Sequence, residues 1–292
     1  MKILRTIDEA HAACRAVRRE GKRLGVVPTM GALHNGHLSL VRTARRQSDV
    51  VAATIFVNPL QFGPSEDYTR YPRTFERDCQ QLEAEGVSLV FAPATEEMYP
   101  PAATTFVEVA GLSDKLEGRS RPGHFRGVTT VVAKLFHITE PDVAFFGQKD
   151  AQQVAIIRRM VLDLDMDIEI VVCPIVRESD GLALSSRNTY LDPQQRKSAT
   201  VLYRALMRVQ TLADTGEHRA ARLAEAGRQV VSEEPGVHLD YLEVVDPETL
   251  DPVEDISRGA LVPIAAKVGS TRLIDNILLH GVGEATAPDL PR

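Results

Sequence analysis

The chain has 292 residues, 43% hydrophobic and 25% charged, the make-up of an ordinary globular protein with enough length for more than one core. Its formal net charge of −6 argues against nucleic acid as a partner, because phosphate neutralisation needs a concentrated positive excess. The N-terminus carries no apolar run of signal-peptide length, no segment approaches a membrane span, and Cys14, Cys79 and Cys173 are scattered, so the expected setting is cytoplasmic and away from membranes.

In chain order, Arg15, Arg18, Arg19 and Lys22 recur at the spacing of one helix face, with Arg23 beside them, and read as a solvated helix surface. Gly25-Val26-Val27 reads as a short buried strand, and Leu38 to Gln47 as a helix with Leu38, Val41 and Ala44 on its apolar face. The nearly unbroken apolar run Val50 to Val57 suits a strand buried on both faces of a parallel sheet, stopped by Asn58-Pro59. A charged helix from Thr74 to Glu85, closed by Gly86, precedes a strand over Ser88 to Ala92. Then come a helix over Gly127 to Ile138, a strand over Val143 to Phe146, a helix over Ala151 to Leu164 and a strand over Ile168 to Val172. This alternation predicts a doubly wound, Rossmann-like α/β domain over residues 1–176, with ligands at the carboxyl ends of its strands.

After Val176 the pattern changes. Helices are expected over Pro193 to Ala213 and Arg219 to Val231, and strands over His238 to Val245, Ala260 to Val268 and Arg272 to Leu279. Together they predict a smaller α+β domain over residues 177–292, ending in a frayed tail from Glu284.

The chemistry concentrates at predicted strand ends. In Pro28-Thr29-Met30-Gly31-Ala32-Leu33-His34-Asn35-Gly36-His37, two histidines three apart sit at the mouth of a helix. Exposed amides and the helix dipole favour phosphate there, and Gly31 and Gly36 let ligand oxygens approach the backbone. Both imidazoles can then donate to one phosphate, although a His-x-x-His pair also arises by chance. A zinc site needs three or four ligands, and no Cys-x-x-Cys pair supplies them, so no metal ligand is expected.

Asn58 and Gln61 follow the second strand, either as ligand-facing amides or as a plain Asn-Pro turn with a surface glutamine. The loop Gly118 to Gly127 is basic and glycine-punctuated. Within it Arg121 can grip a carboxylate or phosphate with two parallel bonds, or the loop is a solvated turn. Gly147-Gln148-Lys149-Asp150 lies at another strand end, with Lys149 suited to phosphate and Asp150 able to cap the next helix; Gln153 lies one turn on and faces the same way. Leu184-Ser185-Ser186-Arg187 is a polar loop near the domain boundary that can clamp phosphate oxygens and close after binding. No Gly-x-Ser-x-Gly elbow marks a serine nucleophile.

Taken together these clusters resemble the pantoate–β-alanine ligases, or pantothenate synthetases, nucleotidyltransferases with a His-x-Gly-His signature. The similarity lies in Pro-Thr-Met-Gly-Ala-Leu-His-Asn-Gly-His at 28–37, Phe-Val-Asn-Pro-Leu-Gln-Phe-Gly at 56–63, Arg-Pro-Gly-His-Phe-Arg-Gly-Val at 121–128, Phe-Gly-Gln-Lys-Asp at 146–150 and Leu-Ser-Ser-Arg-Asn at 184–188, in family order over essentially the whole chain. The resemblance implies a homodimer that adenylates (R)-pantoate with ATP and magnesium, releasing pyrophosphate, and then joins the pantoyl group to β-alanine, releasing AMP. It implies ATP contacts from Met30 to His37, Gly147 to Asp150, Val176 and Leu184 to Arg187, with His37 as proton donor. It implies pantoate contacts at Gln61 and Gln153, with Gln61 also near β-alanine, and a less defined place near the active site for Arg121. Two residues depart from the family pattern: Gln148 stands where an acid is common, and Leu184 where many members carry methionine.

The chemistry fits those residue types. A carboxylate is already nucleophilic, so attack on the α-phosphorus needs alignment and cationic donors rather than a strong base; His34, His37, Lys149, Ser185, Ser186 and Arg187 are the candidates. An acyl adenylate hydrolyses readily, so residues 177–292 are expected to act as a lid. The rival readings are another adenylyl-transferring enzyme of the same fold and a non-catalytic nucleotide-binding protein.

Overall fold

The computed structural model describes residues 1–64 and 66–281, so the tail expected from Glu284 lies outside the described residues. The chain divides into two compact units, Met1–Val176 with Leu184–Ser186, and Arg177–Ala183 with Arg187–Arg292.

The first unit is built on a six-stranded parallel sheet of β1 (Lys2–Leu4), β2 (Leu24–Val27), β3 (Val50–Thr54), β4 (Leu89–Phe91), β5 (Val143–Gly147) and β6 (Glu169–Cys173), in the order β1-β4-β3-β2-β5-β6. Helices α1 (Ile7–Arg19), α2 (Asn35–Gln47), α3 (Phe75–Ala84), α4 (Thr95–Met98), α5 (Glu117–Ser120), α6 (His124–Thr139) and α7 (Ala151–Asp163) connect the strands. Every residue of β2 and β4 is buried, as expected for strands covered on both faces. Leu24, Val26, Ala144 and Phe146 belong to one core cluster with Phe136 and Ile157, whereas Val27, Val143 and Phe145 belong to another with Leu38, Val41 and Ala44 of α2.

Several boundaries differ from expectation for local reasons. Helix α2 begins three residues early because His34 caps it. Strand β3 ends at Thr54 because the amide of Phe56 turns to the carbonyl of Thr29, although the apolar run continues to Val57. Helix α6 begins at His124, launched by Gly123 in the left-handed region. Strand β1 is only three residues long, too short to show a period. The basic face of α1 is solvated, and Arg15 and Arg18 both reach Glu140; Lys22 lies past the helix end and pairs with Glu20.

The second unit packs α8 (Pro193–Ser198), α9 (Val201–Asp214) and α10 (Ala220–Ser232) with an antiparallel sheet of β7 (Val237–Leu242), β8 (Ala260–Val268) and β9 (Thr271–Leu279), β8 central. The single helix expected over Pro193 to Ala213 is two, because the backbone tightens between them to bonds three residues back, from the Thr200 amide to the Lys197 carbonyl and from the Leu202 amide to the Ala199 carbonyl, both at 3.3 Å. Strand β7 stops at Leu242 after a register shift between Leu239 and Tyr241, and Val245 keeps only isolated bridges. Leu202, Leu206, Val209 and Leu223 fill the core with Val262 and Ile264. Arg177 binds the buried carboxylate of Asp275 with two nitrogens, at 2.5 and 3.0 Å, tying a short hairpin to β9.

Candidate active site

Strand β2 pairs with β3 on one side and β5 on the other, so the order of the sheet reverses between β2 and β5. Ligands of open α/β sheets bind at the carboxyl ends of strands at such a reversal. Residues 28–34 leave β2 there, and Gly147 to Asp150 leave β5, so the histidine pair and Lys149 come from adjacent strands.

The first loop is bound to its own fold. The Thr29 hydroxyl donates to the Thr54 carbonyl at 2.6 Å and accepts from the Gly31 amide at 3.1 Å. Gly31 (φ 79°) and Ala32 (φ 50°) both occupy the left-handed region. For alanine that costs on the order of 1–3 kcal/mol. The strain is offset by Asp78 of α3, whose carboxylate accepts from the amides of Ala32 and Leu33, both at 2.9 Å. A Cβ on Gly31 would lie 3.0 Å from that carboxylate, so glycine keeps the close approach open.

Histidine 34 then caps α2. The Gly36 amide donates to His34 Nδ1 at 3.1 Å, and the His34 amide donates to His37 Nδ1 at 3.4 Å. The two rings stand 4.1 Å apart. This corrects two expectations. The amides of Gly31, Ala32, Leu33, His34 and Gly36 point inward and do not form a phosphate cradle. The space at Gly36 serves the His34 ring, since a Cβ there would lie 2.9 Å from ring atoms Cε1 and Nδ1.

Because each Nδ1 accepts a hydrogen bond, each neutral imidazole must carry its proton on Nε2. Both rings resist a second proton: burial, then the charge of Lys149, pushes His34 down to about 4. Burial, then His34 and Lys149, pushes His37 down to about 3. At neutral pH the pair is therefore two uncharged Nε2–H donors beside a lysine.

A 3-10 turn, Gln148–Asp150, leads from β5 into α7, and Lys149 Nζ stands 3.8 Å from Asp150 Oδ1. Asp150 occupies the cap position of α7 but makes no side-chain cap bond. A Cβ on Gly147 would meet nothing within 4 Å, so the backbone there is open to approach. Gln153 is half-buried on α7. Its buried neighbour Gln152 bonds the Glu117 amide and the carbonyls of Leu112 and Lys115; no local pattern marks that role in the sequence. Val176 ends the first segment of this unit, and its carbonyl accepts from Leu184 at 3.0 Å, which returns Leu184 to Ser186 to it. Leu184 lies against the start of α2 near Gly36, and the hydroxyls of Ser186 and Tyr71 are 3.4 Å apart. Arg187 belongs to the second unit.

The substrate candidates after β3 divide into one surface side chain and its supports. Asn58 is 1% exposed, and all its bonds are internal: Nδ2 donates to Gln61 Oε1 and the Gly127 carbonyl, both at 3.0 Å, while Oδ1 accepts from Leu60 and from Tyr99 at 2.8 Å. Asn58 is thus not the ligand-facing amide expected. It fixes Gln61, which is half-buried and donates to Met30 Sδ at 3.2 Å, joining the two loops. The fork of Arg121, expected on a ligand anion, is taken by Glu66 at 2.8 and 2.6 Å; its NH1 lies 3.0 Å from His124 Nε2. His124 Nδ1 and Arg121 NH2 both reach the Gln61 carbonyl, at 2.7 and 3.3 Å. Tyr99 escaped the sequence reading, and His124 entered it only as part of the 121–128 motif, because their partners lie 41 and 63 residues away. Among the described residues no group of three or more His, Cys, Asp or Glu is arranged to hold a metal ion.

A family model described as Pantoate-beta-alanine ligase matches residues 2–278. The chain belongs to the pantoate–β-alanine ligase family. A curated relative named pantothenate synthetase, from Koribacter versatilis, is 65% identical over 288 residues, covering 99% of each chain. Another of that name, from Thermotoga neapolitana, is 57% identical and covers 96% of this chain and 100% of its own. A pantothenate synthetase structure from Thermus thermophilus aligns with TM-score 0.91 and 50% identity over 95% of this chain and 99% of its own. A Francisella tularensis pantoate-beta-alanine ligase, complexed with beta-gamma ATP and beta-alanine, aligns with TM-score 0.79 and 35% identity over 95% of this chain and 97% of its own.

Proposed function

We propose that this chain condenses (R)-pantoate with β-alanine at the expense of ATP, through a pantoyl adenylate, giving pantothenate, AMP and pyrophosphate. The observation that carries the reading is the meeting of two neutral Nε2–H donors with Lys149 at the sheet reversal, joined through Met30 to a fixed glutamine, Gln61.

In the first step a pantoate carboxylate oxygen bonds to the α-phosphorus, the bond from that phosphorus to the bridging oxygen breaks, and pyrophosphate leaves with the electron pair. Charge grows on the phosphate oxygens, where His34, His37, Lys149, Ser185, Ser186 and Arg187 serve as donors. His37 acts as a hydrogen-bond donor, not as an imidazolium. Gln61 and Gln153 hold pantoate, and Asn58, Arg121 and His124 act through Gln61. In the second step the amine of β-alanine attacks the acyl carbon, AMP leaves, and the amide nitrogen loses its proton. Magnesium, which the family resemblance implies, would arrive bound to the ATP phosphates and would offset their charge there.

Gly147 to Asp150, Val176 and Leu184 complete the ATP contacts. Leu184 supplies the apolar contact on adenine that methionine would give, and glutamine at 148 in place of the common acid changes only a contact behind the reacting atoms. The lid role of residues 177–292 is proposed on chemical grounds, to keep water from the acyl adenylate. The homodimer and the cytoplasmic setting follow the family resemblance and the scattered thiols. No helix among the described residues is long and apolar enough to cross a membrane. Adenylyl transfer onto a nucleotide phosphate, the nearest rival, would need a free cation where the Gln61 amide stands, and the neighbouring Arg121 fork is held by Glu66.

The test is ATP–pyrophosphate exchange with and without pantoate, followed by AMP release on adding β-alanine. Exchange that depends on pantoate, with AMP release that depends on β-alanine, is expected. Exchange indifferent to pantoate would overturn the proposal.

A further inference from the structure

We infer that Asp78, a residue of α3 outside every sequence motif of the site, is the positioning residue that shapes the turn at residues 31–33 and so aims both histidines; this rests on the ATP-binding reading above. The carboxylate is 1% exposed and receives the amides of Ala32 and Leu33, one on each oxygen, while Oδ1 also accepts from the Thr74 hydroxyl at 3.1 Å. Those amides belong to the turn in which Gly31 and Ala32 are left-handed. The next residue is His34, whose own amide holds His37 Nδ1. A single unbroken series of bonds therefore runs from α3 to the Nδ1 atoms of both rings, and it sets where their Nε2 protons point.

The charge makes the assignment specific. A buried carboxylate is a poor neighbour for a polyphosphate, and the side chain is too committed to its two amides to serve as a ligand contact. Asparagine has the same shape but only one acceptor, and its second atom would present hydrogens to an N–H that already donates. Only a side chain with two acceptor atoms at that distance closes both bonds. Gly31 fits the same design, since its missing Cβ leaves the approach of Oδ2 open.

The experiment compares wild-type and Asp78→Asn full-length protein for ATP affinity, KM and kcat, with the imidazole nitrogen resonances of His34 and His37 as a second readout. The expected result is a KM for ATP raised and a kcat lowered, jointly by about 10- to 100-fold, the scale of a small misplacement of catalytic groups. The KM for pantoate should stay within about twofold, and both imidazole signals should shift. A purely structural role would lower the melting temperature while leaving the two KM values alone. Thr74→Val keeps the carboxylate but removes one of its anchors, and should move ATP kinetics the same way by about threefold. In the wild type, the Ala32 and Leu33 amides should exchange slowly with solvent even without ATP. Wild-type ATP kinetics in both variants, or fast exchange at those two amides, would overturn the inference. A wild-type protein that does not bind ATP would instead overturn the reading on which it rests.

Discussion

The backbone amide of His34 donates to Nδ1 of His37 at 3.4 Å, while Nδ1 of His34 accepts from Gly36, so two imidazoles serve as the reciprocal caps of one helix. Ser or Thr with Glu usually fill these positions. Using histidine leaves each ring with one nitrogen on the helix and one facing outward. Nitrogen NMR of the free protein at pH 7 should therefore find both rings neutral with the proton on Nε2. An imidazolium at either position, or a proton on Nδ1, would contradict this bonding.

The same bonding sets a pH dependence. An unfolded histidine takes its second proton near 6.5, whereas His34 does so at about 4 and His37 at about 3. Between those values the unfolded chain binds more protons than the folded one, so these two groups stabilise the fold above pH 6.5 and lose that contribution as the pH falls through 4 and 3. Adenylation should accordingly show no loss between about pH 6 and 8 traceable to either ring, and a fall only on the acid side. An alkaline limb near 6.5 that disappears in His37→Gln would restore the imidazolium as a proton donor.

Removing donors should cost rate before it costs structure. His37→Ala and Lys149→Ala should each cut turnover by about 10²-fold or more, the scale of one lost transition-state donor, while far-ultraviolet circular dichroism stays unchanged. His37→Gln should lie between alanine and wild type, since its amide nitrogen can present a hydrogen near the position of Nε2. Equal losses in the glutamine and alanine variants would show that hydrogen bonding from Nε2 is not what His37 supplies.

Gly36→Ala isolates geometry from chemistry. The new methyl group would lie 2.9 Å from His34 ring atoms, closer than real contacts allow, so the ring must turn and give up its cap bond. Alanine favours the helix by up to about 1 kcal/mol over glycine. The variant should thus melt near the wild-type temperature yet lose activity by about tenfold or more, as misaimed donors do. Full activity would mean that the His34 ring is free to sit elsewhere.

The sequence is most legible where one period runs long enough. Strands β2 and β5 and helices α2 and α7 are recoverable from apolar spacing, and so is the meeting of their motifs at the sheet's carboxyl edge. Spacing does not show which atom of a motif residue faces the ligand. Gly36 reads as room for phosphate and is room for an imidazole; Asn58 reads as a ligand contact and is a buried support; Arg121 reads as a grip on a ligand anion and is held by Glu66. In each case the deciding partner is remote in sequence or packs from the side, and Asp78, which carries no motif, is invisible for the same reason.

Asn58 and Gln61 form the last contrast, because similar amides three residues apart should fail in different ways. Asn58→Ala strips partners from the Gly127 carbonyl, the Leu60 amide and the Tyr99 hydroxyl in a site that is 1% exposed. Leaving such groups unpaired costs about 1–3 kcal/mol. The melting temperature should therefore fall, and pantoate KM should rise because Gln61 loses the donor on its Oε1. Gln61→Ala removes a half-buried side chain bonded to Asn58 and Met30, so stability should change by less than about 1 kcal/mol. Its kinetic loss should be the larger of the two and confined to pantoate and β-alanine, with ATP binding preserved. Thermal melts and substrate titrations of both variants decide the matter: a stable Asn58→Ala enzyme with an ordinary pantoate KM would return Asn58 to the surface, and loss of ATP binding in Gln61→Ala would move Gln61 to the nucleotide side.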